Sequence, residues 1–228
     1  MIKKEIVMLV IASRGTLYDQ LINKYWSKFI NYVKRHEHPI KIYMIFGKTE
    51  TDDLQIDNED KLVYNDICET LKPGVLKKTI RALEYIESSY DYKHVLRTNL
   101  SSFFILEKLL QISNNMENTD IYAGVLARNN ILISGAGIWL SSDNVRFLIN
   151  NKHNLAFSKI DDVSISLLLV NKRKIPKQRY NLVNGRDIDD KEKLLLEIQK
   201  NHYHIRIKSH NPELDIKYMT TFTDILYS

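Results

Sequence analysis

An unbroken run of seven apolar residues near the start of the chain, Ile6–Ala12, restricts the fold more than any other feature of the sequence. A strand with one face in water alternates apolar and polar residues, whereas a continuous apolar run indicates a strand covered on both faces. The run is too short to cross a bilayer, and Ser13-Arg14-Gly15 is a poor signal-peptidase site. We therefore predict a buried first strand in a sheet covered by helices, and no membrane span.

Strand and helix patterns alternate along the first half of the chain. The predicted strands are Ile6–Ala12, Ile40–Phe46, His94–Leu96, Ile121–Leu126 and Ile131–Ile133. The predicted helices are Thr16–Val33, Pro73–Ser88, a segment from about Phe103, Ser142–Asn150, Asp161–Val170, Asp189–Lys200 and a segment from about Asn211. This alternation predicts an α/β fold with a central, mostly parallel sheet flanked by helices. No linker or internal repeat divides the 228 residues, so we predict one domain, residues 1–228.

The net charge bears on which partners the protein can bind, and the cysteine content bears on the redox state of its compartment. The net charge is +5, which favours an anionic partner, but lysine and arginine are scattered among acidic residues. A nucleic-acid interface would concentrate them on one face beside a binding motif, so we predict no nucleic-acid partner. The single cysteine, Cys68, excludes an intrachain disulfide and favours a reducing compartment, hence the cytoplasm. A lone cysteine is most often a small core residue, so we expect Cys68 to be buried; the alternative is a reactive thiol.

A cluster of small polar residues follows the third strand, in the stretch YKHVLRTNLSSFF (residues 92–104). Arg97, Thr98, Asn99 and Ser101 come directly after or at the end of an apolar strand, where ligands bind in sheets covered by helices. The alternative is that Asn99 or Ser101 caps the helix predicted from about Phe103.

Five segments, spread over most of residues 6–169, carry a resemblance to a known family. They are IKIYMIFGK, YNDICETLKPGVLKKTIRALEYI, YKHVLRTNLSSFF, ISGAGIWLSSDNVRFLI and IDDVSISLLL. In order, they resemble five features of the β-1,3-galactosyltransferase and Fringe-like group of GT-A glycosyltransferases. These are a strand with a Phe-x-x-Gly-like turn, a Lys-Thr pair that opens a long helix, a strand ending Lys-Thr-Asp-Asp-Asp, a Ser-Gly-Gly-Tyr-x-x-Ser segment and Glu-Asp-Val. We find no counterpart for the tail after Asn171.

The resemblance implies a GT-A fold and a nucleotide-sugar-dependent glycosyltransferase. Such an enzyme moves one sugar to a hydroxyl acceptor, a glycan or another alcohol, here with inversion and with UDP as the default nucleotide. The alternative is a non-catalytic member of the fold that binds a glycan or a nucleotide. Neither reading determines the oligomeric state.

The departure from the family lies in its metal-binding motif. The family's aspartates hold a divalent cation on the donor diphosphate, and such cations require anionic or carbonyl oxygen ligands. Here the matching positions are Asn99, Leu100 and Ser101, of which Leu100 cannot ligate and the other two are neutral. We therefore predict that the site persists without a metal or other cofactor, although Asp161 or Asp162 could compensate.

Cations must then stabilise the leaving diphosphate. The candidates are Arg14, Lys78, Arg97 and, in the stretch YHIRIKSH, His204, Arg206 and Lys208. Period-two spacing places the last three on one face of a short strand, for which a solvated edge is the alternative. Further donor-binding candidates, with their alternatives, are Ser13 (or a helix cap), Thr98, Asn99, Ser101, and Gly135 with Gly137 (or a tight turn).

Two carboxylates match the Glu-Asp-Val segment, which includes the catalytic base of inverting relatives. Asp161 matches the glutamate and Asp162 the aspartate. A carboxylate within hydrogen-bond reach can take the proton of an acceptor hydroxyl. We favour Asp162 without excluding Asp161; alternatively, both residues only begin a helix, where negative charge suits the dipole. Trp139 could form a wall of the sugar site, but we expect it in the core.

Overall fold

The predicted first strand is an inner strand of a seven-stranded sheet in the computed structural model, which describes residues 1–127, 132–173, 178–179, 183–184, 191–200 and 202–228. The strands are β1 (Ile2–Ile11), β2 (Ile40–Phe46), β3 (Lys61–Val63), β4 (Tyr90–Asn99), β5 (Ser102–Phe104), β6 (Tyr122–Ala127), β7 (Leu132–Ser141), β8 (Gln178–Arg179), β9 (Val183–Asn184) and β10 (His204–Arg206). The helices are α1 (Thr16–Leu21), α2 (Ser27–Arg35), α3 (Gly74–Ser89), α4 (Leu106–Asn115), α5 (Ser142–Asn150), α6 (Asp161–Ser166), α7 (Lys191–Gln199) and α8 (Pro212–Leu226).

The large sheet has the strand order β3-β2-β1-β4-β7-β6-β8. The pairs β3–β2, β2–β1, β1–β4 and β6–β8 are parallel, while β7 runs antiparallel to both β4 and β6. The prediction of an α/β domain with a mostly parallel central sheet is confirmed. A second, three-stranded sheet has the order β5-β10-β9 and joins the C-terminal tail to the end of β4.

The two faces of β1 pack in two different hydrophobic clusters, which explains its unbroken apolar run. Met8 and Val10 face one cluster, which contains aromatic residues of the first helical segment. Val7 and Leu9 face the other cluster, which contains the apolar side of α3. Because successive side chains of a strand point to opposite faces, a strand covered twice must be apolar at every position.

The helix predicted over Thr16–Val33 forms, and it is continuous. A π-helical segment, Ile22–Trp26, joins α1 to α2. The segment buries Tyr25 and Trp26 completely. The Tyr25 hydroxyl accepts the Phe104 N–H (3.0 Å), and Trp26 Nε1 donates to the Leu100 carbonyl (3.1 Å). These bonds hold the chain that leaves β4 against the first helix.

The helix predicted from Phe103 begins later than the sequence suggests. Residues 102–104 form β5, because their backbone pairs antiparallel with β10, and α4 starts at Leu106. Its N-cap is Ile105, so the alternative in which Asn99 or Ser101 caps this helix is wrong. A local pattern could not reveal this strand, since its partner lies about a hundred residues further along the chain.

Three smaller expectations also need correction. Cys68 is exposed rather than buried, in the loop before α3. Gly135 and Gly137 lie inside β7 and not in a tight turn between strands. Of the stretch YHIRIKSH only His204–Arg206 forms a strand, and Lys208 follows it. Ile131, the first residue of another predicted strand, lies outside the described residues.

No helix within the described part of the chain is long and apolar enough to cross a membrane.

Gly124 offers a test of how β6 meets β7. Its φ of 150° is a conformation that L-residues rarely adopt, and an added Cβ would overlap the Gly137 carbonyl oxygen and lie 2.6 Å from Ile133 Cγ2. Gly15 has a comparable φ of 136° but open space around it. We expect Gly124→Ala to lower the free energy of unfolding by about 1–3 kcal/mol more than Gly15→Ala. Both substitutions put an alanine in a strained backbone conformation, but only the Cβ at position 124 would also clash with neighbouring atoms. Urea unfolding measures the difference; equal losses would contradict this packing.

Candidate functional site

The carboxyl ends of β1 and β4 border a cleft of about 360 Å³. Ile11 pairs with Asn99 in the parallel ladder, so the residues that follow β1 and those that end β4 lie side by side. Ser13 and Asn99, two of the predicted donor-binding residues, thus lie at the same end of the sheet, whereas Gly135 and Gly137 are not part of the cleft lining. The predicted site residues that line the cleft are Ser13, Arg97, Asn99, Ser101, Asp161, Arg206 and Lys208.

Most of the hydrogen-bonding capacity of Asn99 is taken by protein partners. Its Nδ2 donates to the Gly135 carbonyl (3.1 Å). Its Oδ1 accepts from Ser101 Oγ (3.2 Å), Ser102 Oγ (3.3 Å) and Arg206 Nη1. An amide oxygen has two lone pairs, so three donors saturate it. Asn99 therefore organises the strand end, and what it can still offer a ligand is its second amide N–H.

Arg97 and Asp161 form a buried ion pair on the cleft wall. Both side chains are at least nine-tenths buried, and Arg97 Nη2 contacts Asp161 Oδ2. Arg97 Nη1 also donates to the Gly135 carbonyl. Among the described residues, Arg97 Nε has no hydrogen-bond partner, and Asp161 Oδ2 has none besides the ion pair with Arg97. Burial raises the pKa of Asp161, and Arg97 opposes that shift.

Arg206 brings a second guanidinium to the same place from the tail. Strand β10 pairs Arg206 with Ser102, and the guanidinium donates to Asn99 Oδ1 and Ser102 Oγ (3.3 Å). Both acceptors are neutral, and the described residues place no carboxylate in contact with it. Burial, with a contribution from Arg97, lowers the pKa of Arg206 to about 10, so it stays cationic at neutral pH. Lys208, exposed, lies on the same wall.

Lys78 is completely buried and reaches the strand end from α3. Its ammonium donates to the Ala12 carbonyl (2.7 Å) and to both oxygens of Glu69 (2.8 and 2.7 Å). Glu69 also accepts from Gly47 N–H and from Ser13 Oγ (3.2 Å). Sequence reasoning missed Glu69. It lies nine positions before Lys78 in a loop, where no helical or strand period links the two.

The remaining predicted site residues lie outside the cleft lining. Arg14 binds Asp19, Asp53 and the Glu50 carbonyl, and the two carboxylates raise its pKa above the usual value. Thr98 is buried, and its Oγ1 donates to the Ala136 carbonyl (2.6 Å).

His204 is not a surface cation. Its ring is fully buried, lies beside Gly137, and stacks on Phe104 with 4.6 Å between ring centroids. Burial and the nearby Arg206 lower its pKa to about 3, so it carries no charge at neutral pH. Trp139 is buried in the core, as expected, and donates to the Tyr203 hydroxyl (3.1 Å).

Asp162 lies behind Asp161, facing β7. Its Oδ2 accepts the Gly135 N–H (3.1 Å), and its Oδ1 accepts the Val163 N–H (2.7 Å). Gly135 therefore links three candidate residues, since its carbonyl binds Arg97 and Asn99 and its N–H binds Asp162. Gly135 does not line the cleft itself, but it sets the positions of the side chains that do.

The residues of the cleft do not fit a divalent cation. Asn99 Oδ1 is saturated, the Leu100 side chain is 4% exposed and lies in the core, and Asp161 is paired with Arg97. The other carboxylate of the cleft lining, Asp215, accepts the Ser209 N–H at both oxygens (3.0 and 2.9 Å). A second guanidinium at Asn99 would repel the ion. Over the described ranges, the acidic or histidine side chains that converge closely enough for a metal are Asp57, Glu59 and Asp60, which lie away from the cleft and pair with Lys34.

No protein-family model and no curated protein matches the chain, but solved structures do. A glycosyltransferase involved in the glycosylation of the major capsid of PBCV-1 has a TM-score of 0.53 at 9% identity, over 95% of this chain and 99% of that one. The glycosyltransferase GlyE of Streptococcus pneumoniae TIGR4 has a TM-score of 0.51 at 11% identity, over 100% of this chain and 62% of GlyE. The chain has the GT-A fold. At these identities the likeness establishes the fold, and the closer resemblance to the Fringe-like group stays a prediction.

The Arg97–Asp161 pair offers a test with a pH signature. Removing one partner of a buried pair typically costs about 3–5 kcal/mol. We expect Arg97→Ala to lose stability in this range at neutral pH, because Asp161 stays buried without its cation. Loss of Arg97 raises the pKa of Asp161 further, and a folded carboxyl with a raised pKa loses stability as pH rises through that value. The deficit should therefore be larger at pH 8 than at pH 5.

Urea unfolding at the two pH values measures the Arg97→Ala deficit. The matched control is Arg81→Ala, which breaks an exposed pair with Asp66 and should cost no more than about 1 kcal/mol at either pH. A deficit that does not depend on pH would mean that Asp161 is not an ionised partner of Arg97.

Proposed function

We propose that the chain is a nucleotide-sugar-dependent glycosyltransferase that moves one sugar to a hydroxyl acceptor, with inversion and without a divalent metal. The whole chain, residues 1–228, would act as one catalytic domain in the cytoplasm. The fold supports this proposal, because solved structures that share it are glycosyltransferases. The donor would be a UDP-sugar by default, and the acceptor a glycan or another alcohol.

The position of Arg206 carries the proposal. Its guanidinium occupies the strand end where the family resemblance places metal-binding aspartates, and it hydrogen-bonds the residue, Asn99, that replaces one of them. A guanidinium can bind two phosphate oxygens with fixed geometry and supplies the positive charge that a cation would otherwise provide. Lys208 adds a second charge to the same wall. Together they would stabilise the diphosphate as it leaves.

Asp161 is the catalytic base in this proposal. It lines the cleft, whereas Asp162, which the sequence favoured, binds the Gly135 N–H and is assigned to positioning. The acceptor hydroxyl gives its proton to the Asp161 carboxylate while its oxygen bonds to the anomeric carbon. The bond from that carbon to the diphosphate oxygen breaks, and the electron pair leaves with the diphosphate. A raised pKa makes Asp161 a stronger base than an exposed aspartate.

Apolar residues also line the cleft, namely Leu17, Tyr18, Leu21, Leu71 and Val75. Tyr18 is 43% and Leu71 is 67% exposed. A cleft lined by both guanidinium and apolar side chains suits a ligand with an anionic part and a flat, less polar part, as in a nucleotide sugar.

We expect transfer to persist in excess EDTA and to respond little to manganese or magnesium. A divalent ion keeps its waters unless carboxylates and phosphates together offer a better shell, and this strand end supplies neutral oxygens beside guanidinium groups. The measurement is the transfer rate against free metal after exhaustive chelation, with a panel of UDP-, GDP- and CMP-sugars. Activity that vanishes with EDTA and returns with manganese would refute the metal-free mechanism.

Arg206→Ala and Lys208→Ala should each weaken nucleotide-sugar binding by roughly ten- to a hundredfold, because each removes a charge-assisted hydrogen bond of about 1.5–3 kcal/mol. The melting temperature without ligand should change little. Isothermal titration measures the affinity, and Arg146→Ala, which removes an exposed arginine paired with Glu87, is the control. Unchanged affinity in both variants would contradict a role of this segment in binding the diphosphate.

A further inference from the structure

Lys78 has no proton left for a ligand. An ammonium group carries three donors. In this structure the three are taken by the Ala12 carbonyl and by the two oxygens of Glu69, all within 2.8 Å. The side chain is fully buried and does not line the cleft. Lys78 therefore acts on other side chains of the site and does not itself bind phosphate.

Glu69 is saturated in the same way. A carboxylate offers about four lone-pair sites and no proton. Oε1 accepts from Gly47 N–H and Lys78, while Oε2 accepts from Lys78 and Ser13 Oγ. The hydrogen bond between Ser13 and Glu69 can have only one direction, because an ionised carboxylate can only accept. The Ser13 hydroxyl must therefore donate its single proton to Glu69.

This commitment determines what Ser13 can do in the cleft. A hydroxyl that has donated its proton retains lone pairs and can only accept further hydrogen bonds. Ser13 lines the cleft that also holds Arg206, which can only donate. One part of the cleft wall thus accepts hydrogen bonds, and another part donates them.

We propose that the Glu69–Lys78 pair, whose lysine is buried and whose carboxylate is part-exposed, is a positioning pair that makes Ser13 an obligate acceptor. Ser13 then selects a hydroxyl or N–H group of the ligand and rejects a phosphate oxygen. The inference rests on the proposed function and concerns how the pair directs the Ser13 hydroxyl. The ligand group at Ser13 is a hydrogen-bond donor such as a nucleoside carries, whereas a diphosphate, which only accepts, has its partner in Arg206.

Glu69→Gln should reverse the direction of the hydrogen bond between residue 69 and Ser13. The amide oxygen and the amide nitrogen replace the two carboxylate oxygens, and both positions face the Lys78 ammonium, so the amide nitrogen displaces one Lys78 hydrogen bond wherever it lies. The Oε1 position also faces the Gly47 N–H, so the amide nitrogen takes the position of Oε2, where it donates to Ser13. The Ser13 proton is released towards the cleft, where it would meet the donor group of a bound nucleoside.

The experiment is isothermal titration of UDP, GDP and CDP, with inorganic pyrophosphate as a probe that lacks the nucleoside. The proteins are the unaltered chain, Ser13→Ala, Glu69→Gln and the double variant. We expect Ser13→Ala to lose about tenfold in affinity for the nucleotide that binds and to keep its affinity for pyrophosphate. Glu69→Gln should likewise lose affinity for the nucleotide and keep its affinity for pyrophosphate. The double variant should lose no more than either single one, because both remove one interaction.

Asp66→Asn is the matched control. It neutralises an exposed carboxylate three positions before Glu69, outside the pair, and should leave every affinity unchanged. Ser13→Ala alters one hydroxyl at the cleft surface. The comparison of its affinities for the nucleotide and for pyrophosphate shows whether that hydroxyl contacts the nucleoside, even when Glu69→Gln fails to fold.

Two results would overturn the inference alone: nucleotide binding that is indifferent to Ser13→Ala, or an equal loss for nucleotide and pyrophosphate. Independent, additive losses in the double variant would also overturn the role of Glu69. No nucleotide binding by the unaltered chain would overturn the proposed function and the inference together, so the two failures are distinguishable.

Discussion

The burial of β1 on both faces is the constraint on which the rest of the structure depends. Its side chains enter two hydrophobic clusters in alternation, so the strand has no position for a polar side chain from Ile6 to Ile11. Polar chemistry can begin only where the strand stops. Ala12 and Ser13 follow its end, and the parallel ladder places Asn99 beside them. A strand that is apolar throughout therefore determines both the core and the edge of the sheet at which a ligand can be bound.

The charged residues at that edge belong to elements that are distant in sequence. Arg97 lies near the end of β4, and Asp161 is the first residue of α6. Arg206 is the last residue of β10, which pairs with β5. A guanidinium held by a strand and by two neutral hydrogen bonds has little freedom left, so little further order is lost when it binds an anion. A cation held by the protein in this way needs no acidic ligand set. This is consistent with the neutral residues at Asn99 and Ser101.

The sequence predicted those parts of the molecule that local patterns determine. The bounds of β2 and α5 agree with the prediction, because each is a short apolar or amphipathic segment between clear breaks. The strand β5 was predicted as helix, since its conformation depends on pairing with β10 and not on its own residues. His204 was grouped with Arg206 by a period of two, but the shared face packs on Phe104 at His204 and opens to the cleft at Arg206. Glu69 carried no local signal, because a buried partner in three dimensions leaves no period in the sequence.

Two ion pairs lie beside the cleft, one with a part-exposed carboxylate (Lys78–Glu69) and one with both side chains buried (Arg97–Asp161), and the difference between them separates scaffold from binding surface. In Lys78–Glu69 every donor and acceptor has a partner, including Ala12 and Gly47 of the backbone. In Arg97–Asp161, Asp161 Oδ2 is paired with Arg97 Nη2, but Arg97 Nε has no hydrogen-bond partner within the described residues. Burying a polar atom without a partner costs about 1–3 kcal/mol, and a ligand that supplies the partner recovers that cost on binding. The saturated pair can only hold the site in shape, whereas the incomplete pair marks where a bound molecule gains most.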